Sequence, residues 1–164
     1  MTHDELVARA AAWLRSSWRC IVVITEMAGG IEIPDAVGFT PYCSVLVECK
    51  ASRSDFLRDR DKCVRRIDSR GMGQHRFYFA EPGIIRQDEV PRGWGLAEVD
   101  GRRVRKVLVV DECGGRDGWR DERALLVSCI RRLGAASVSG VSVKPYTYET
   151  KCRATVGVGV ERKE

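Results

Sequence analysis

Two acids and a lysine are the residues of this chain whose types and spacing could do chemistry. Pro34-Asp35-Ala36-Val37-Gly38-Phe39 reads as one strand and Ser44-Val45-Leu46-Val47-Glu48-Cys49-Lys50 as a second, with a turn at Thr40 to Cys43. A hairpin centred between Pro41 and Tyr42 sets Asp35 opposite Glu48, Val37 opposite Leu46 and Phe39 opposite Ser44. Opposed residues of an antiparallel pair project from one face, with Cβ atoms roughly 5 Å apart. Alternation along the strand puts Lys50 on the face of Glu48 and turns Cys49 away. Two carboxylates that close repel unless a cation compensates. A divalent metal held by oxygen ligands is the natural compensation.

The order of these residues resembles the PD-(D/E)xK nuclease superfamily: Pro34-Asp35, then Glu48-x-Lys50 closing an apolar strand. The run Lys50-Ala51-Ser52-Arg53-Ser54-Asp55-Phe56-Leu57-Arg58-Asp59-Arg60-Asp61-Lys62 is similar to the MmcB-like DNA repair branch. Its pattern is a Glu-x-Lys followed by Ser-x-x-Asp and an Asp-x-Lys-type helix. The resemblance spans roughly residues 20 to 80. It implies a restriction-endonuclease-like core and Mg²⁺- or Mn²⁺-dependent hydrolysis of DNA phosphodiester bonds, leaving 5′-phosphate ends. Asp35, Glu48 and Lys50 would be the catalytic set, with Asp35 and Glu48 as metal ligands. MmcB-like sequences also carry a glutamate at the end of the first strand, which makes Glu26 the third candidate ligand.

Other elements must position this set. Thr2 to Ser17 has helical apolar spacing at Leu6, Ala10, Trp13 and Leu14. Thr2 and Glu5 fit a capping box, which gives Glu5 a local role; the resemblance leaves it a second one, since some PD-(D/E)xK nucleases place an active-site glutamate on their first helix. Cys20 to Glu26 is a β-branched run, hence a buried strand. A loop turning near Gly30-Ile31 would set Glu26 opposite Asp35. After Lys50, a helix starting at Ser52 or Ser54 runs to Asp68, burying Phe56, Cys63, Val64 and Ile67. Its outer face carries Arg53, Arg58, Arg60, Lys62, Arg65 and Arg66, partly neutralised by Asp55, Asp59 and Asp61. Arg53, Arg58, Lys62 and Arg66 are the expected DNA-backbone contacts, which give affinity without sequence information. Arg76 to Ala80 is a strand expected beside the Glu48-x-Lys50 strand, on which Tyr78 and Gln74 could approach substrate. Asp100-Gly101 between two strand patterns signals a hairpin at the sheet edge. A further amphipathic helix covers Arg120 to Leu133, with Gly134 as its stop.

At 164 residues, with 44% hydrophobic and 31% charged content, the chain can bury a core without staples. The expected fold is α/β, a central mixed sheet of about four or five strands flanked by helices. Residues 1–134 form the nuclease-like domain in this reading, and 135–164 a C-terminal extension of undefined structure. A net charge of +5, concentrated in arginine, suits a phosphate-bearing partner. No apolar run approaches a membrane span, and no signal-peptide pattern opens the chain, so no membrane partner is expected. Seven cysteines without Cys-x-x-Cys spacing read as reduced thiols of a cytoplasmic protein. Two other functions compatible with the same residues are a non-catalytic DNA-binding module and a protein-interaction module on a nuclease fold.

Overall fold

The computed structural model describes residues 1–28, 33–60, 62, 71–110 and 118–133. The chain divides into two compact units, Met1–Leu125 and Leu126–Glu164; of the second, only helical residues 126–133 are described. The first unit holds a six-stranded mixed sheet, one strand more than the upper expectation, flanked by helices. Its strands are β1 (Val22–Thr25), β2 (Ala36–Phe39), β3 (Ser44–Lys50), β4 (His75–Ala80), β5 (Gly95–Asp100) and β6 (Arg103–Leu108), adjacent in chain order. Pairs β1–β2, β2–β3 and β5–β6 are antiparallel; β3–β4 and β4–β5 are parallel. The carboxyl ends of β3, β4 and β5 therefore share one edge of the sheet, and the β5–β6 turn lies on it.

Helix α1 (His3–Ser17) begins with the expected box: Thr2 Oγ1 accepts from the Glu5 N–H at 3.2 Å, and a Glu5 carboxylate oxygen accepts from the Thr2 N–H at 2.7 Å. Its stripe of Leu6, Val7, Ala10, Trp13 and Leu14 packs with Val45, Val47, Cys49, Phe77, Phe79, Ala97 and Val99. These strand residues are every second one, so α1 covers a single face of the sheet. Full burial of such side chains contributes about 1.5–3 kcal/mol each. Gly38 lets α1 approach β2: a Cβ there would stand 2.5 Å from Cys20 Sγ and 3.2 Å from Leu14 Cδ2.

Helix α2 (Arg53–Arg60) covers the other face. Ser52 Oγ caps it, accepting from the Asp55 N–H at 3.2 Å. Phe56 packs edge-on against Tyr78 at 5.1 Å, and Tyr78 stacks on Trp94 at 4.7 Å. With both faces covered, every residue of β3 is buried. The rest of the expected helix after Lys62, with Cys63, Val64, Ile67, Arg65 and Arg66, lies outside the described residues. Helix α3 (Gly118–Leu133) starts two residues before the expected point. Glu122 fastens its first turn by accepting from Ser44 Oγ at 2.7 Å and from the Gly73 N–H at 2.8 Å.

Among the described residues Cys20, Cys43, Cys49 and Cys129 are free thiols, and the first and third are buried. Burial pushes the Cys20 thiol up to about 11, so it is protonated at neutral pH. No helix of the described residues is long and apolar enough to cross a membrane.

Candidate active site

The hairpin register is the one the sequence implies: Ala36 pairs with Val47, Val37 with Leu46 and Phe39 with Ser44. Continued by one residue, it sets Asp35 against Glu48. Asp35 is fixed there by its own side chain, because Oδ2 accepts from the Cys49 N–H at 2.7 Å. On β3, Val45, Val47 and Cys49 belong to the α1 face, so Glu48 and Lys50 project toward α2.

Lys50 is the hub of the cluster. Its Nζ donates to Glu48 Oε2 at 3.2 Å and lies 3.6 Å from Asp59 Oδ1 and 3.9 Å from Asp35 Oδ2. Glu48 is 4% exposed, Lys50 5% and Asp59 2%, so these charges act on one another with little screening by water. Burial opposes the ammonium, but the attraction of Glu48, Asp59 and Asp35 outweighs it and holds the Lys50 pKa above the ordinary lysine value. Asp35 goes the other way. Burial raises its pKa above the usual carboxylate range, against the lowering by Lys50, the Cys49 N–H and His3. Asp35 is therefore an acid short of positive charge.

Asp59 is the residue that its charge assigned to the outer face of the helix. The structure buries it: it accepts from Tyr78 Oη at 3.1 Å and from Lys62 Nζ at 2.6 Å, besides its approach to Lys50. A signal for this was present, since Asp59 lies three residues after Phe56 and four before Cys63, in the middle of the apolar stripe. Tyr78 is fully buried, and its hydroxyl anchors Asp59. Gln74 serves the opposite end of the strand, accepting from the Ser44 N–H at 3.1 Å.

Glu26 also sits opposite Asp35, its N–H shared between Pro34 O at 3.0 Å and Asp35 O at 3.3 Å. It adopts φ 48°, the left-handed region that non-glycine residues rarely occupy. Its half-exposed carboxylate lies 3.4 Å from His3 Nε2, and the same nitrogen is 3.7 Å from Asp35 Oδ1. His3 thus brings the start of α1 to the cluster, a role its position in the sequence does not announce.

The expected backbone-binding residues are largely engaged elsewhere. Arg53 forms a two-pronged pair with Glu89 at 2.9 and 2.6 Å. Lys62 is held by Asp59. Arg58 is 79% exposed in its side chain and 4.0 Å from Asp55. Arg66 lies outside the described residues.

Among the described residues, no three His, Cys, Asp or Glu side chains are grouped so as to hold a metal ion. Asp35 and Glu48 offer two hard oxygen donors that reach a common cation, the Lys50 ammonium. That donor set does not suit zinc, which takes three or four protein ligands. It does suit Mg²⁺, which is commonly held by one or two carboxylates and completed by waters and substrate phosphate.

No family model matches this chain, and no curated protein sequence matches it. Among solved structures, a protein of unknown function from Silicibacter pomeroyi is similar, with a TM-score of 0.57 and 20% identity over 88% of this chain and 98% of that one. At that identity the likeness concerns the fold alone.

Proposed function

We propose that this protein is a metal-dependent nuclease that hydrolyses DNA phosphodiester bonds, serving DNA repair or recombination in the cytoplasm. The observation that carries this reading is the convergence of Asp35, Glu48 and Lys50 at the carboxyl end of β3, with Asp59 behind the lysine. Asp35 and Glu48 would hold Mg²⁺ or Mn²⁺; Glu26, the third ligand the resemblance implies, is not grouped with them among the described residues and faces His3. When bound, such an ion supplies Lewis-acid stabilisation of phosphate charge and lowers the pKa of a ligated water.

The chain's own residues do the rest. Lys50 stays protonated in its cage of carboxylates and offers a fixed positive charge to the oxyanion that develops on phosphorus. Asp59, anchored by Tyr78 and Lys62, keeps the Lys50 stem from swinging away. The Cys49 N–H holds the Asp35 carboxylate at the strand end. An oriented ammonium needs no reorganisation during the reaction, which is where preorganised groups gain their effect.

A second reading, a nuclease fold that binds DNA without cutting it, has one observation in its favour: the Lys50 ammonium already neutralises the acids that a metal would need. A cleavage assay separates the two. Purified protein is incubated with labelled single-stranded, duplex, flap and junction DNAs in Mg²⁺, Mn²⁺ or chelator. The nuclease reading expects cuts with 5′-phosphate ends in either metal and none in chelator. No cutting of any substrate would overturn it in favour of the non-catalytic module.

A further inference from the structure

We propose that the groove between α1 and β6 binds the phosphate backbone of DNA, and so supplies the grip that α2 does not. The inference rests on the DNA-directed reading above and adds where the nucleic acid lies. On and just past α2, Arg53 and Lys62 are paired with Glu89 and Asp59, which leaves Arg58 as the exposed cation there. On the far side of the sheet, a cavity of about 170 Å³ is lined by Arg9, Trp13, Ser16 and Ser17 of α1 and by Arg102 and Val104.

Helical spacing explains the α1 wall: residues 9, 12, 13 and 16 fall on one stripe, beside the buried one. Strand alternation explains the other wall. Val104 packs on the α1 core, so Lys106, two residues on, shares its face, while Arg103 and Arg105 point to the opposite side. Lys106 extends the rim, with its ammonium 4.0 Å from the Trp18 ring centroid and 5.8 Å from that of Trp13. Among the described residues, Arg9, Arg102 and Lys106 have no acidic partner. Arg9 donates to Gly101 O, which fixes its guanidinium over the groove mouth. Of the nearby acids, Glu98 is taken by Arg105 at 2.7 Å, which leaves Asp100 beside three cations.

Cations and hydroxyls on one groove together suit phosphodiester oxygens. Gly101 joins β5 to β6 at the edge where β3 ends, two to three strand spacings from Lys50, with the groove on the α1 face and Lys50 on the α2 face.

The test is fluorescence anisotropy with a labelled duplex of about 30 base pairs in chelator, from about 50 to 200 mM salt. Chelator separates binding from cutting. The variant is Arg102→Ala with Lys106→Gln, which leaves the Arg9–Gly101 contact in place and retains a stem over Trp18. The control is Arg103→Ala with Arg105→Ala, an equal loss of charge on the opposite face. We expect the groove variant to bind roughly tenfold more weakly at low salt, with a log–log salt slope shallower by about 1.8, while the control stays near wild type. Wild-type binding by the groove variant, or an equal loss in the control, would overturn the groove. Wild-type protein that binds no DNA would overturn both proposals. Binding through the groove without any metal-dependent cutting would remove the nuclease reading and leave this one standing.

Discussion

Replacing Lys50 by alanine should expose how much of this site is held by one ammonium. Lys50 is 5% exposed, and its Nζ lies within 4 Å of Glu48, Asp59 and Asp35. Its removal leaves a group of mostly buried carboxylates without their counter-charge. Removing one partner of a buried pair costs about 3–5 kcal/mol. For a chain of this length, that is a fall in Tm of roughly 10 °C. The loss carries a pH signature. Lys50 has a raised pKa, so its contribution is complete below the ordinary lysine value and fades as pH climbs through the folded value. At low pH the acids protonate and the missing ammonium matters less. The gap between wild type and variant should therefore be widest near neutrality and narrow toward both extremes. A divalent ion at a hundredfold excess over its Kd should stabilise the variant by about 2.7 kcal/mol. Melting curves from acid to alkaline pH, with and without Mn²⁺, measure all three effects. A variant that melts within a degree or two of wild type at pH 7 would refute the enclosed-ammonium geometry.

Asp35→Asn should raise the metal-free Tm at neutral pH. The raised pKa of Asp35 means that its charged form is disfavoured in the fold, so stability drops as pH rises past the ordinary aspartate value. A lower Tm would show that the carboxylate is stabilising as it stands. Glu26→Gly should stabilise by about 1 kcal/mol through relief of its left-handed backbone, measured by urea titration; a loss of that size would mean that the His3 contact outweighs the strain. Gly38→Ala should cost about 1–3 kcal/mol, because the new Cβ meets Cys20 Sγ. Adding Cys20→Ala should recover part of that cost, and strict additivity of the two changes would refute the clash.

Much of this arrangement was legible in the chain because it depends on local alternation. A four-residue turn at Thr40 to Cys43 fixes the β2–β3 register, and that register alone brings Asp35 and Glu48 together. The same arithmetic carried Glu26 to Asp35. The Thr2–Glu5 box was legible for the same reason, since its partners are three residues apart. Illegible features depended on partners distant in sequence. Asp59 had one local sign, its place in the apolar stripe, but its partners Tyr78 and Lys50 come from two strands, and its charge made it look like part of a solvated face. Arg53 is lost to phosphate because Glu89, 36 residues on, reaches back to it. His3 meets Asp35 because of the direction in which α1 crosses the sheet, which no spacing rule encodes.

The most direct test of the central claim is the single-turnover rate of DNA cleavage by Asp35→Asn in saturating Mn²⁺, measured beside wild type. The variant keeps an oxygen for the Cys49 N–H and should be at least as stable as wild type without metal, so a loss of activity cannot be laid to unfolding. It removes one negative donor from a hard cation. Wild type should cut in a metal-dependent way, and the variant should lose about a hundredfold or more, equivalent to roughly 2.7 kcal/mol of transition-state stabilisation. Cutting by Asp35→Asn at the wild-type rate would contradict the claim.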